Sequence, residues 1–365
     1  MESKHRLLLA ACIDRDDAEL VRRALDSIQA TDADPDAEQL YPLLHAAVRD
    51  LGLGDPAHPA NRRLACCYKQ VWIRNHLLLH QARPVFSYLE RAGIRWALLK
   101  GGAISSSAYH DDLGVRPLAD FDLLIERTHI RTVVAWVLSR GWRVDETSRW
   151  DADDFLHAHH AVDLRNDTGG ALDLHHALLA TDRSPDLDDR LLDATVRTEL
   201  GDRPVPILAP TAHLLHTLAH ARPEGFRHIA DAATIIARHR EAIDWDEMVG
   251  QARARRALAA VDLALTTLGE VAPGRVPPSV LKRVGSTPRH WTDWTYQARP
   301  IGSRLQGLRV FATDVAQRLR GQGVGDWLRT GRLVARRYAA SSADDITTLG
   351  KIREFLLKGP RHKRE

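Results

Sequence analysis

Only three cysteines occur in 365 residues, and two of them, Cys66 and Cys67, are adjacent. Neighbouring thiols do not ordinarily bridge each other, and no CxxC or Cys/His pair has zinc-ligand spacing. Neither a disulfide framework nor a structural zinc site is expected, and the cysteine usage fits a reducing, cytoplasmic compartment. Long apolar runs are also missing: nothing approaches the roughly eighteen residues that a membrane span requires. Lys4 and Arg6 ahead of Leu7 to Ala11 and Cys12 imitate a lipoprotein signal, but the apolar stretch is too short and Asp14, Asp16 and Asp17 follow at once. Internal repeats and low-complexity segments are absent. What remains, 44% apolar and 27% charged residues, is the balance of an ordinary globular chain. Its length favours more than one structural unit.

The net charge of +3 conceals a polarity along the chain. From Leu281 to Glu365 there are 18 Lys/Arg against 7 Asp/Glu, a net +11, so the first 280 residues carry −8. The basic end suits nucleic acid, an anionic membrane surface or an acidic partner, and equally a solvated Arg-rich helical face. Lys358 to Glu365 reads as a disordered basic tail. Trp291, Trp294 and Tyr296 lie near Arg289 and Arg299, where they would stack on bases or pack between helices.

Apolar positions recur at three- and four-residue spacing in Glu19 to Ile28 and Leu64 to Leu89, predicting helices, with Asp16 and Asn61 as N-caps and Gly93 as a stop. After Gly93 the pattern changes. Ile94 to Leu99 reads as a buried strand running into Gly101-Gly102, followed by a short helix over Ala103 to Tyr109. Asp120 to Ile125 alternates acidic and apolar residues as a half-buried strand does. Thr128 is expected to cap a helix that ends at Gly141. Trp142 to Val144, His159 to Arg165 and Ala171 to His175 are further strands, the last two joined by a hairpin at Asn166 to Gly170. Short strands follow at Val196 to Leu200 and Val205 to Leu208, and helices from Thr211 onward. The expected architecture is α+β: a helical region over 1–92, a small mixed-sheet core over 93–209, a helical unit over 210–280 packing on it, and a basic helical region over 281–365.

Chemistry concentrates in the core. Residues i and i+2 of a strand point the same way, roughly 7 Å apart, so Asp120 and Asp122 share a face while Phe121 and Leu123 turn inward. Asp173 offers a third carboxylate from another strand, and Asp163, across the same hairpin, competes for that role. Hard oxygen ligands on one rigid surface are what Mg2+, or Mn2+ in its place, requires for phosphoryl and nucleotidyl transfer. Gly101 and Gly102 let backbone approach phosphate oxygens at a helix start, where free N–H groups and a positive dipole end are found. Ser105 could add a hydroxyl, and Lys100, one of seven lysines, could contact a phosphate or brace the carboxylates. His175 shares a strand face with Asp173, either as its neighbour at the site or as a packed core residue. His157, His159, His160, His175 and His176 suit alternating strand faces better than a tetrahedral zinc site. His213, His216 and His220 fall on one helical face, lining a cleft or an interface between helices.

The string Leu98-Leu99-Lys100-Gly101-Gly102-Ala103, then Arg116, then Asp120-Phe121-Asp122-Leu123-Leu124-Ile125, then Leu172-Asp173-Leu174-His175, resembles the signature of an uncharacterised bacterial nucleotidyltransferase family within the polymerase-beta-like superfamily. The resemblance covers residues 1 to about 270, including Leu214 to Ile236 and the His228-Ile229-Ala230-Asp231 echo of a C-terminal helix. It implies a small nucleotidyltransferase core flanked by helices and an NTP substrate. By position it implies that Gly101 and Gly102 cradle the triphosphate, with Lys100, Ser105 and Arg116 as further candidate phosphate contacts. Asp120 and Asp122 would bind both metals, and Asp173, also a metal ligand, would position or deprotonate the acceptor hydroxyl. The 17 residues separating Gly102 from Asp120 exceed the minimal superfamily pattern. They hold Tyr109, His110, Asp111, Asp112 and Arg116, which would shape the pocket. Attack at the γ-phosphate would make the same site a kinase, and a catalytically silent nucleotide-binding scaffold is the alternative outside enzymology. Sugar phosphate, peptide, protein and RNA acceptors all stay open, because specificity would lie in the flanking helices.

Overall fold

A computed structural model describes residues 3–28, 34–144, 160–179, 185–220 and 226–288. The features assigned to His157, His159, Trp291, Trp294, Tyr296 and nearly all of the basic C-terminal region lie outside these residues.

The chain opens with helices α1 (Ser3–Ile13), α2 (Ala18–Asp26), α3 (Pro35–Glu38), α4 (Tyr41–Asp50) and the 33-residue α5 (Pro59–Arg91). The caps differ from the expected ones by where the backbone turns extended. Asp17, not Asp16, accepts from the Leu20 N–H, and His58 caps α5 through Ala60 N. Asn61 lies inside α5 and instead donates to the Leu53 and Asp55 carbonyls, pinning the loop that enters the helix. Pro84 stands inside α5, where it removes one N–H from the ladder.

Next come β1 (Trp96–Leu98), α6 (Lys100–Ser107), β2 (Phe121–Ile125), α7 (Ile130–Leu138), β3 (Trp142–Val144), β4 (Ala161–Asn166) and β5 (Ala171–His175). After α8 (Pro185–Asp193) come the last two strands among the described residues, β6 (Val196–Leu200) and β7 (Arg203–Ile207). All seven strands join one mixed sheet in the order β3-β4-β5-β2-β1-β7-β6. β2 runs parallel to β5 and β1 parallel to β7, and the other pairs are antiparallel. The β4–β5 hairpin is closed by Asn166, whose Oδ1 accepts from Thr168 and Gly170 N–H, with Gly169 at φ +85°. Thr128 does not cap α7: a 3₁₀ turn at Arg127–His129 precedes that helix, and the hydroxyl meets His129 Nδ1 instead.

Helices α9 (Pro210–Ala219), α10 (Phe226–His239), α11 (Trp245–Ala254), α12 (Leu258–Val271) and α13 (Pro278–Ser286) complete the described chain. One face of the sheet, carrying Phe121, Leu123, Leu172 and Leu174, packs on Phe86 and Leu89 of α5 and Val133 and Val137 of α7. The opposite face packs Ala97, Leu99 and Leu124 on Leu178, Leu191, Leu208 and Ala212. Helices before residue 50 and helices after residue 210 share a further core, in which Leu8, Tyr41 and Leu44 meet Leu214, Ile235, Met248 and Leu265. No helix among the described residues is long and apolar enough to cross a membrane.

Candidate active site

The parallel register of β2 and β5 sets Asp122 directly beside Asp173. Alternation sends Phe121, Leu123, Leu172 and Leu174 into the α5 and α7 core, so Asp122, Asp173 and His175 share the other face. Just after β1 the Leu99 N–H donates to the Asp122 carbonyl, which starts α6 next to the acidic pair. Lys100, the first residue of α6, holds a left-handed φ of 43°, an uncommon conformation for a side-chain-bearing residue. Its Nζ lies 2.5 Å from Asp122 Oδ1 and 3.7 Å from Asp173 Oδ2. His175 Nε2 lies 2.9 Å from Asp173 Oδ2 and 3.1 Å from Asp122 Oδ1. One ligand atom each from Asp122, Asp173 and His175 falls within 4.8 Å of the others.

These four groups balance one another's charge. Burial raises the Asp122 and Asp173 carboxyls, but Lys100 and His175 outweigh it and hold both below the usual carboxylate range. Burial lowers the His175 imidazole, and Asp173 and Asp122 lift it to about 9, so the ring is cationic near neutral pH and Nε2–H donates. Lys100 is raised in turn, the two carboxylates prevailing over desolvation. The donor set fits a divalent cation. Two carboxylates converge, Asp173 Oδ1 is buried with no partner among the described residues, and a side-chain ammonium already stands between the pair. Two carboxylates alone favour Mg2+, whereas a deprotonated His175 joining them would favour Mn2+.

Residues 36–273 match a family described as uncharacterised nucleotidyltransferase. The chain belongs to that nucleotidyltransferase family. No curated protein matches it. The matched span takes in the seven strands of the described residues and runs to the end of α12, so the acidic cluster lies near the middle of that span. An NTP substrate follows from membership.

The other residues singled out in the sequence are placed as follows. Asp120 precedes β2 instead of pairing within it, and it is not among the three grouped ligands. Burial and the nearby Asp122 raise its carboxyl to about 6, against Lys100, and Arg165 Nη2 approaches it at 3.9 Å. Asp163 pairs in register with Asp173 on the next strand but is exposed. Gly101 and Gly102 belong to the first turn of α6, because the helix starts earlier than Ala103. A Cβ on Gly101 would come within 2.0 Å of Arg116 Nη1 and 2.3 Å of Leu118 Cδ2, and one on Gly102 within 2.9 Å of Leu98 and Phe121. The missing side chains thus make room for protein atoms. The first N–H groups of α6 still have no partner within the helix, whose first bond runs from Ala103 N to Leu99 O. Ser105 is buried and its hydroxyl has no partner among the described residues. Arg116 is buried too, its Nε donating to Asp231 Oδ2 at 2.9 Å.

Asp231 was singled out in the sequence without a role, and Arg227 and the approach of Arg165 to Asp120 were not singled out at all. Asp231, fully buried on α10, anchors the long loop after α6 by accepting from Arg116 and from the Tyr109 hydroxyl. Arg165 reaches toward Asp120 from β4. Arg227 joins the same loop through Pro117. Pairings across 45 to 122 residues leave no mark in local periodicity. Of the α9 histidines, His213 and His216 are buried and His216 has both ring nitrogens unpartnered among the described residues. His160 meets the His175 ring edge-on at 5.1 Å.

Proposed function

We propose that this nucleotidyltransferase moves an NMP from an NTP to an acceptor hydroxyl or phosphate, with Mg2+ held by Asp122 and Asp173. The observation that carries the reading is the side-by-side registration of these two carboxylates, with His175, at the start of a glycine-opened helix. A bound divalent cation supplies charge stabilisation at the α-phosphate and activates the attacking oxygen. The protein's own share is positional. Asp122 and Asp173 are fixed by strand pairing, and His175 braces both from the same face. Lys100 occupies the cation's side of the pair and is part-exposed, free to turn toward a phosphate once a metal takes its place. The α6 N–H groups face charge of the same sign that Lys100 would meet. Asp120, flanked by Arg165, stands at the rim as the third acid.

The test is a screen of sugar-phosphate, peptide, protein and RNA acceptors with NTPs labelled at the α- or the γ-phosphate. Transfer of the α-label, lost in Asp122→Asn and Asp173→Asn, is the expected result. Transfer of the γ-label would make the protein a kinase. Metal-dependent NTP binding that persists in both variants would refute the site.

A further inference from the structure

We propose that the guanidinium pair Arg116 and Arg227 forms the seat for the terminal phosphates of the nucleotide, with Arg227 as the group that contacts them. The assignment rests on the nucleotidyl-transfer reading above, and it names a residue that reading does not use. Arg116 and Arg227 converge on a single carbonyl, that of Pro117, at 3.4 and 3.1 Å from their Nη1 atoms. Their shared counter-charge is Asp231, but its two oxygens already accept from Arg116 Nε and the Tyr109 hydroxyl. Arg227 therefore has no carboxylate bonded to it among the described residues, and its Nε is buried without a partner. A buried guanidinium, Arg116, and a part-buried one, Arg227, beside one carboxylate leave a positive charge incompletely compensated, an arrangement that costs free energy until an anion arrives.

The position suits that anion. Arg116 Nη1 lies against Gly101 at the opening turn of α6, beside Lys100. Arg227 is within electrostatic reach of Asp120, and Pro117 lies three residues before it in the chain. The pair thus flanks the acidic cluster on the side of the free α6 N–H groups. Burial, with Arg116 next to it, lowers Arg227 to about 10, as expected of a cation lacking its counter-ion. A planar guanidinium with unused donors matches phosphate oxygens bidentately, which a lysine cannot do.

The alternative is a purely structural clamp on the Pro117 carbonyl. Equilibrium dialysis of the full chain with Mn2+ separates the two, using tripolyphosphate, the four NTPs and the matching NMPs, for wild type, Arg227→Met and Arg227→Lys. The expected result is a loss of roughly tenfold or more in affinity for tripolyphosphate and the bound NTP in Arg227→Met. NMP affinity should stay within about twofold, and Arg227→Lys, which keeps the charge and a donor for Pro117, should fall between. Unchanged NTP affinity in Arg227→Met, or equal losses for NTP and NMP, overturns the phosphate seat while leaving the nucleotidyltransferase reading intact. A wild type that binds neither tripolyphosphate nor any NTP overturns both. If Arg227→Met melts too early to be assayed, Arg227→Lys decides alone: NTP affinity equal to wild type refutes the bidentate seat, and a selective NTP loss supports it.

Discussion

Replacing Asp122 by asparagine removes one negative charge while keeping the shape of the side chain. Lys100 and His175, both cationic near neutral pH, are left with Asp173 alone. Leaving a buried charge without its partner typically costs about 3–5 kcal/mol, but here two escapes limit the loss. Lys100 is part-exposed and can turn into solvent. His175, held at about 9, can give up its proton at pH 7, two units away, for roughly 3 kcal/mol at most. The variant should therefore fold, about 1–3 kcal/mol less stable and melting a few degrees lower. Its response to ligand should change far more. A nucleotide at about a hundred times its Kd adds roughly 2.7 kcal/mol to the wild type in the presence of Mn2+ or Mg2+. That increment should vanish with the Asp122 carboxylate. The assay is thermal melting with and without metal and NTP, and Asp163→Asn serves as a control, because that carboxylate is exposed one strand further along. An Asp122→Asn protein that melts lower but retains the whole metal-dependent increment would refute the reasoning.

Lys100→Met removes the ammonium that stands against the two carboxylates, so Mn2+ should bind severalfold tighter while NTP binds less well. A Mn2+ titration followed by electron paramagnetic resonance checks this, and weaker Mn2+ binding would contradict it. Gly101→Ala places a methyl within 2.0 Å of Arg116 Nη1, and that guanidinium, held by Asp231 through Nε and by the Pro117 carbonyl through Nη1, cannot yield cheaply. A loss of about 1–3 kcal/mol in urea unfolding is expected, despite the better helix propensity of alanine. His213 is buried and neutral, its imidazole lowered from 6.5 to about 4 chiefly by burial. Because the folded form binds this proton less readily than the unfolded form, its contribution is complete above pH 6.5. It is lost as pH falls toward 4, by on the order of 3 kcal/mol. Asp120 acts in the opposite sense, its raised carboxyl contributing stability that disappears as pH rises through about 6. His213→Leu should isolate the histidine term: its urea midpoint should fall less than the wild type's between pH 6.5 and 4. Parallel pH dependences in the two proteins would remove His213 from the account.

Much of the core was legible because strands announce themselves by period and turn. All seven strands fall close to where alternation and punctuation placed them, and the Asn166 to Gly170 hairpin closes as its residues require. Sheet order was not legible, since nothing local says that β2 inserts between β1 and β5. The meeting of Asp122 and Asp173 depends on that insertion. Alternation correctly put Asp122 and His175 on a polar face, yet it placed Asp120 inside the strand, whereas the ladder begins at Phe121. The glycine pair was foreseen as a site of close approach, but the approaching atoms are those of Arg116, Leu118, Leu98 and Phe121. Likewise the helices before residue 50 and after 210 read as separate amphipathic pieces, while their apolar faces meet in one core.

The acidic cluster is complete as an electrostatic unit before any ion arrives: two carboxylates are matched by one ammonium and one imidazolium. A divalent cation entering this set adds charge that must be shed elsewhere, either as the His175 proton or by withdrawal of Lys100. The second route moves a cation away from the carboxylates and toward the α6 N-terminus, where triphosphate charge would receive it. Metal and nucleotide would then favour each other's binding, since each stabilises the arrangement of Lys100 that the other needs. On this account the left-handed backbone of Lys100 has a use: it sets the side chain between the carboxylates and the helix start, within reach of both.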